Sequence, residues 1–352
     1  MKRMILVVLA GLAVLIGIFL MGAWSMFGTK IIAAKSVKKL DENLYSMEFI
    51  GDYGFDEYLA QGGAASEAKM AEYITSFLSN GFVKAKTEEV PKNFGCSALT
   101  MKASEGGYLM GRNYDWQGNK SNTMIIHTKP ENGYESYSTC WLDFLGFGEN
   151  WKPEGMQNQY MSLAAIYVPL DGMNEKGLCV ADLICGDVMM ETHQTGKEAD
   201  LTTTSAIRLL LDKAANVDEA ITLLEQYNMH SSVGMAHHLA ISDASGKSVV
   251  VEYVNNEMIV TETSVVTNHY LSEGEMFGVG NAESHKRYEK LMEIRGNAAA
   301  GMRAEDMKKA MESVSYENIT QWSIVYDMKE RVLDFYWQRE YGKSYQFKMS
   351  GK

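Results

Sequence analysis

Gly95-Cys96-Ser97-Ala98-Leu99-Thr100, taken up again after a short break by Gly106-Gly107-Tyr108-Leu109-Met110-Gly111-Arg112-Asn113-Tyr114-Asp115-Trp116, is the stretch whose reading decides the fold. Cys96 to Ala103 alternates modest side chains, Ser104-Glu105-Gly106-Gly107 supplies turn chemistry, and Tyr108 to Asn113 runs apolar before a charged end. That pattern is a β-hairpin. A cysteine therefore opens one strand while Arg112 and Asp115 close its neighbour, so all three meet at one end of the pair. Thiolate is the nucleophilic form of cysteine, and a nearby guanidinium favours it. Taken singly, the cysteine reads as a small buried hydrophobe and the Arg/Asp pair as a surface ion pair; their grouping is what suggests chemistry.

Outward from the hairpin, the 352 residues with 46% hydrophobic content suffice for one large core. A net charge of −12 argues against a nucleic-acid partner, because phosphate binding needs a basic surface. No P-loop, paired Cys-x-x-Cys or His-Glu-x-x-His pattern occurs, so neither cofactor nor metal is implied. Upstream, Met1-Lys2-Arg3 precedes an uncharged apolar run from Met4 to Phe27. About 20 such residues cross a hydrocarbon core, so segment 1–29 reads as a transmembrane signal anchor or signal peptide. The basic flank stays cytoplasmic, which puts the rest of the chain outside the membrane, either anchored or secreted. Residues 30–95 lack clear strand alternation, carry an acidic Gly-rich part (Asp41 to Asp56), and hold one helix from Ser66 to Asn80 with Gly81 as its stop.

From Cys96 on, the pattern is mixed. Strands are expected over 96–103, 108–114, 122–128, 160–168, 178–184, 238–243, 247–254, 258–266, 321–327 and 331–338, and helices over Ser205–Ala215, Val217–Gln226, Ser284–Gly296 and Ala304–Ser313. Consecutive strands joined by short turns, with helices in pairs, imply an α+β layered sandwich. His237 and His238 are adjacent on a strand and point to opposite faces, a poor metal pair. Cys140, Cys179 and Cys185 leave room for one disulfide of open pairing. Tyr137 to Trp151, rich in aromatics, reads either as core or as an apolar acyl-binding wall.

Arg112 and Asp115 stand 16 and 19 positions after Cys96, inside Gly-Arg-Asn-x-Asp. Downstream come Asp171-Gly172-Met173-Asn174-Glu175-Lys176-Gly177-Leu178, Val265-Val266-Thr267-Asn268 and Ser284-His285-Lys286-Arg287-Tyr288. Over about residues 96–340 this set resembles the choloylglycine hydrolase, acid ceramidase and penicillin acyltransferase group, whose members are N-terminal-nucleophile (Ntn) amidases cleaving linear amide C–N bonds. The resemblance implies a four-layer αββα sandwich over 96–352, with 30–95 as a propeptide or small subunit removed by a cut between Gly95 and Cys96. It implies Cys96 as nucleophile, Arg112 beside the sulfur, Asp115 holding the new ammonium, Asn268 as an oxyanion donor and Arg287 as the last site arginine.

A freed Cys96 would need no histidine. An unperturbed α-amine has a pKa of about 7.7 to 8.0 and accepts the thiol proton itself. The chain departs from bile salt hydrolases at Ile184, where those enzymes carry asparagine, and in its long segment before Cys96. The expected partner is a small N-acyl amide substrate hydrolysed through a Cys96 thioester. The alternatives are acyl transfer to an amine and a catalytically silent surface binding protein of the same fold.

Overall fold

A computed structural model describes residues 27–79, 94–117, 122–146, 150–186 and 191–350. In chain order the strands are β1 (Lys38–Asp41), β2 (Leu44–Ile50), β3 (Phe94–Lys102), β4 (Tyr108–Trp116), β5 (Thr123–Lys129), β6 (Ser136–Trp141), β7 (Asp171–Asn174), β8 (Cys179–Ile184), β9 (Asp200–Thr202), β10 (Asn228–His230), β11 (His237–Ser242), β12 (Ser248–Val254), β13 (Glu257–Glu262), β14 (Val265–Val266), β15 (Thr320–Asp327), β16 (Val332–Trp337) and β17 (Tyr345–Lys348). They assemble into a nine-stranded sheet, β1-β2-β5-β6-β7-β8-β11-β12-β13, and a six-stranded sheet, β14-β3-β4-β15-β16-β17; β9 and β10 form a small parallel pair.

Three apolar clusters show why these sheets stack. One lies between the sheets and joins Cys96, Met110, Tyr114 and Trp322 to Ile125, Trp141, Leu183 and Val250. A second lies on the outer face of the nine-stranded sheet, under the helices Glu67–Ser79, Thr203–Lys213 and Val217–Leu224. The third seats the helices Ala282–Asn297 and Ala304–Ser313 on the outer face of the six-stranded sheet. Helix, sheet, sheet and helix give four layers. Each layer buries the face that its sequence makes apolar.

The β3–β4 hairpin forms as the sequence suggests, with Gly106 and Gly107 at φ 89° and 84° in its turn. Elsewhere the readings need correction. Residues 160–168 are not a strand: Met156–Met161 is an α-helix and Ser162–Tyr167 a 3₁₀ helix buried all round. A short apolar run has no periodicity to tell the two apart. The run 258–266 is two strands in different sheets, β13 and β14, parted at Thr263 and Ser264. All four cysteines are free and buried, so no disulfide forms among Cys140, Cys179 and Cys185.

Residues 27–79 are built into the same body. β2 runs parallel to β5, pairing Leu44 with Thr123 through Ile50 with Lys129, and Tyr45, Met47, Phe49, Tyr58, Met70 and Ile74 belong to the outer core of the large sheet. The anchor expected over residues 1–29 falls, apart from 27–29, outside the described residues, as does the helix stop at Gly81. Among the described residues no helix is long and apolar enough to cross a membrane.

Candidate active site

The five residues singled out in the sequence come together at one end of the six-stranded sheet. On β3 and β4, register sets Gly95 opposite Asp115, Cys96 opposite Tyr114 and Ala98 opposite Arg112. β14 pairs Val266 with Ala98 and Val265 with Leu99 on the other side of β3, so two residues further on Asn268 reaches Cys96. Arg287 comes from the helix Ala282–Asn297. Its start is fixed by the Asn281 side chain, which accepts a hydrogen bond from the Ser284 N–H at 2.8 Å.

Hydrogen bonds converge on the peptide backbone of Cys96 as much as on its sulfur. The Cys96 N–H donates to Asn268 Oδ1 at 2.6 Å, and Arg287 donates to the Cys96 carbonyl, to Ser97 Oγ at 2.8 Å and to Asn268 Oδ1 at 2.9 Å. Asn268 Nδ2 in turn donates to the Ile184 carbonyl at 2.8 Å. Two donors on one atom and an acceptor on the other fix the amide orientation. In this state Asn268 therefore presents its oxygen to Cys96, and not the N–H expected for an oxyanion donor.

Asp115 is fully buried. One carboxylate oxygen accepts from the Thr320 hydroxyl; the other, Oδ2, lies 4.0 Å from Arg287 and has no hydrogen-bond partner. That free oxygen faces Gly95: a Cβ placed on Gly95 would stand 3.1 Å from it and 2.9 Å from the Tyr316 ring. Burial pushes the Asp115 carboxyl above its ordinary value, against the pull of Arg287 and the Thr320 hydroxyl.

Arg112, also fully buried, donates to the carbonyls of Asp182 at 2.7 Å and of Asn113. Its nearest carboxylate is Asp171, at 3.4 Å from Nε. The guanidinium and the Asp115 backbone N–H both meet the Cys96 thiol and favour its charged form, yet burial outweighs them and holds the thiol above its ordinary value. Arg112 pulls the thiol in the expected direction, but burial and then the Asp115 carboxylate push the other way.

Sequence reasoning missed Tyr316, half-buried, whose hydroxyl accepts from Arg287 Nε at 3.1 Å and whose ring flanks Gly95. No local signal marks it, because it sits in a connection that matters only once the helices are docked. Asp182 was also missed, since its backbone carbonyl and not its side chain holds Arg112.

The layered sandwich, with a cysteine near the start of β3 and buried Arg112, Asp115, Asn268 and Arg287 around it, has the fold of Ntn hydrolases. The pattern of the family described as acyl-coenzyme A:6-aminopenicillanic acid acyl-transferase matches residues 102–341, and the chain belongs to that family. A curated relative, penicillin V acylase of Pectobacterium atrosepticum, is 25% identical over 175 residues, covering 46% of this chain and 45% of that protein. The match thus spans less than half of the relative's length. Among solved structures, penicillin V acylase from Agrobacterium tumefaciens superposes with a TM-score of 0.51 at 19% identity, covering 72% of this chain and 86% of that one. A conjugated bile acid hydrolase from Clostridium perfringens gives 0.51 at 16%, covering 72% and 92%. These two share the fold.

Proposed function

We propose that the chain is a cysteine Ntn amidase that cuts its own Gly95–Cys96 bond and then hydrolyses the linear C–N bond of a small N-acyl amide through a thioester at Cys96. One observation carries this reading: the polar groups of the site address the nitrogen and carbonyl of Cys96, and the unpartnered oxygen of Asp115 faces Gly95. A site built for a side-chain thiol alone has no need to grip that peptide unit.

In the cut, Cys96 Sγ attacks the Gly95 carbonyl carbon and the thiol proton passes to the departing Cys96 nitrogen. Water then hydrolyses the Gly95 thioester, leaving a Gly95 carboxylate, a free thiol and a free α-amine. Asn268 Oδ1 and Asp115 Oδ2 are placed to hold that amine. In turnover the amine accepts the thiol proton and the thiolate attacks the substrate carbonyl. The amine product leaves with the proton, and water releases the acid. Arg112, beside the sulfur, stabilises the thiolate.

The acyl group would lie along the apolar wall beside Cys96. Trp116 and Trp141 are buried there, and the half-buried Phe144 packs edge-on to Trp116 at 5.4 Å. A cut would leave residues 27–79 docked through β2 and the outer core, so the small-subunit form of segment 30–95 fits better than a discarded propeptide. The apolar run 4–27 after Lys2 and Arg3 supports an extracytoplasmic catalytic domain, anchored or exported.

Intact-mass analysis of the full chain tests the mechanism. A fragment beginning at Cys96 is expected in wild type and none in Cys96→Ala; active protein with the bond intact would sink it. The description of the matching family favours one further reading, in which an amine takes the acyl group in place of water. Incubation of penicillin V with and without an added amine separates the two, the phenoxyacetyl amide of that amine appearing above an enzyme-free control only if the amine competes with water.

A further inference from the structure

Behind Asn268, on the side away from Cys96, lies a buried cluster that the proposed chemistry does not use. His238 on β11 and Glu252 on β12 are both fully buried, and the register that pairs Leu239 with Val251 sets them opposite one another. His238 Nδ1 is 2.9 Å from Glu252 Oε1, and its Nε2 is 2.7 Å from the Thr267 carbonyl. Glu252 also accepts the Leu271 N–H, at 2.9 Å on Oε1 and 3.2 Å on Oε2, and the Ser272 N–H at 2.7 Å. The pair therefore grips the backbone at residue 267 and again at 271 and 272. Asn268 lies between the grips, and its own carbonyl accepts the Gly186 N–H at 3.0 Å.

Taking two ionisable groups out of water costs several kcal/mol each unless hydrogen bonds replace the lost hydration. Here nearly every such bond is spent on a single turn. Burial pushes the Glu252 carboxyl up, but His238 first, then the Leu271 N–H and Ser272, overcome it and hold it at about 2. The Cys185 thiol lies 3.9 Å from Glu252 Oε1, which brings cysteine, histidine and carboxylate donors within 4.8 Å of one another. The 2.9 Å imidazole-to-carboxylate contact is nevertheless a hydrogen bond, and the carboxylate is already occupied by N–H donors. The cluster reads as a clamp and not as a metal centre.

We propose that His238 and Glu252 are positioning residues of this site: they fix the turn 267–272 so that Asn268 Oδ1 meets the Cys96 nitrogen, first as the amide of the uncut chain and then as the α-amine that serves as base. The second half of this inference rests on the Ntn reading above; the first half does not. A misplacement of about 1 Å in such a group costs on the order of 100-fold in rate, so the clamp acts on chemistry through Asn268 alone.

The test uses the full chain in two backgrounds. In Cys96→Ala, which stays uncut on any mechanism, hydrogen exchange of segment 94–99 is followed by mass spectrometry. Glu252→Gln is expected to speed it at least 10-fold, and to leave it unchanged when Asn268→Ala is already present. In the Cys96-bearing chain, Glu252→Gln is expected to slow the appearance of the Cys96 N-terminus at least 10-fold, again with no added effect on Asn268→Ala. His238→Gln provides a second variant should Glu252→Gln fail to fold. Asp212→Asn, which breaks a buried ion pair elsewhere, is the control: its melting point falls while exchange at 94–99 and cleavage keep their wild-type rates. If Glu252→Gln and His238→Gln behave like that control, or if their effects add fully to Asn268→Ala, the clamp is overturned. If wild type yields no Cys96 N-terminus, the Ntn reading fails on its own, and the exchange arm still decides the clamp.

Discussion

Two arginines, Arg112 on β4 and Arg208 on the helix Thr203–Lys213, are equally buried and are handled in different ways. Arg208 closes its charge on its own helix: Asp212, one turn on, lies 2.9 Å away, accepts the Tyr53 hydroxyl at 2.6 Å on its other oxygen, and Arg208 also reaches Ser136 Oγ at 2.6 Å. Arg112 pairs instead across strands, with the equally buried Asp171 and at longer range. Asp171 stands off at 3.4 Å and is already engaged by Trp322 Nε1 at 2.9 Å, the Tyr326 hydroxyl at 3.1 Å and the Thr139 hydroxyl. Most of the guanidinium is spent on main-chain carbonyls, which supply dipoles but no counter-charge. Its positive charge is shared between Asp171 and the Cys96 sulfur. Arg208 neutralises itself within one helix turn, whereas Arg112 is held mainly by main-chain carbonyls and shares its charge, which under the proposed function leaves part of it for the thiolate.

That contrast predicts its largest effect on rate. Arg112→Met should cut formation of the Cys96 N-terminus, and turnover of any acyl amide substrate, by about 100-fold or more. The paired replacement Arg208→Met with Asp212→Leu should leave both intact and change unfolding free energy by about 1–4 kcal/mol at most, in the stabilising direction. Urea unfolding and intact-mass time courses check the two together. Cleavage lost equally in both would erase the distinction.

A smaller effect is expected at Gly95, the residue before the proposed cut. Gly95→Ala would push a Cβ to 2.9 Å from the Tyr316 ring and 3.1 Å from Asp115 Oδ2. The ring must shift, so cleavage should slow about 10-fold. Gly95→Ala with Tyr316→Ala should recover much of that loss. Recovery failing, with the fold intact by circular dichroism, would remove Tyr316 from the site.

What the sequence made legible follows from the range of the interactions. The β3–β4 hairpin and its three polar residues are local: turn residues fix the register, and register fixes which side chains meet. Asn268 and Arg287 lie far away in sequence and were reached by motif alone; what physically delivers Asn268 is the corner at Thr263 and Ser264, which moves the chain from one sheet to the other. β2 carried a readable signal that was missed, since Tyr45, Met47 and Phe49 face the outer core and alternate with the exposed Glu48 and Ile50, while β1 is a short, largely exposed edge strand. The His238–Glu252 clamp had a readable signal in the Asp243 to Gly246 turn, which fixes the β11–β12 register and so sets the two residues opposite one another.

The smallest effect concerns how Arg112 is held. Its carbonyl partner belongs to Asp182, whose carboxylate pairs with His237 Nδ1 at 2.8 Å, while His237 Nε2 contacts the Ser232 carbonyl at 2.9 Å. Burial alone would lower the His237 pKa, but Asp182, Ser232 and the more distant Glu67 outweigh it and raise it above 6.5. A group raised on folding stabilises the fold fully below its unfolded pKa and loses that contribution as pH climbs through the folded value. The melting point should therefore fall by about 1–2 °C from pH 6.5 upward in wild type, and the fall should flatten in Asp182→Asn. If the two slopes match, His237 does not feel Asp182 as the geometry requires, and the support behind Arg112 is main-chain only.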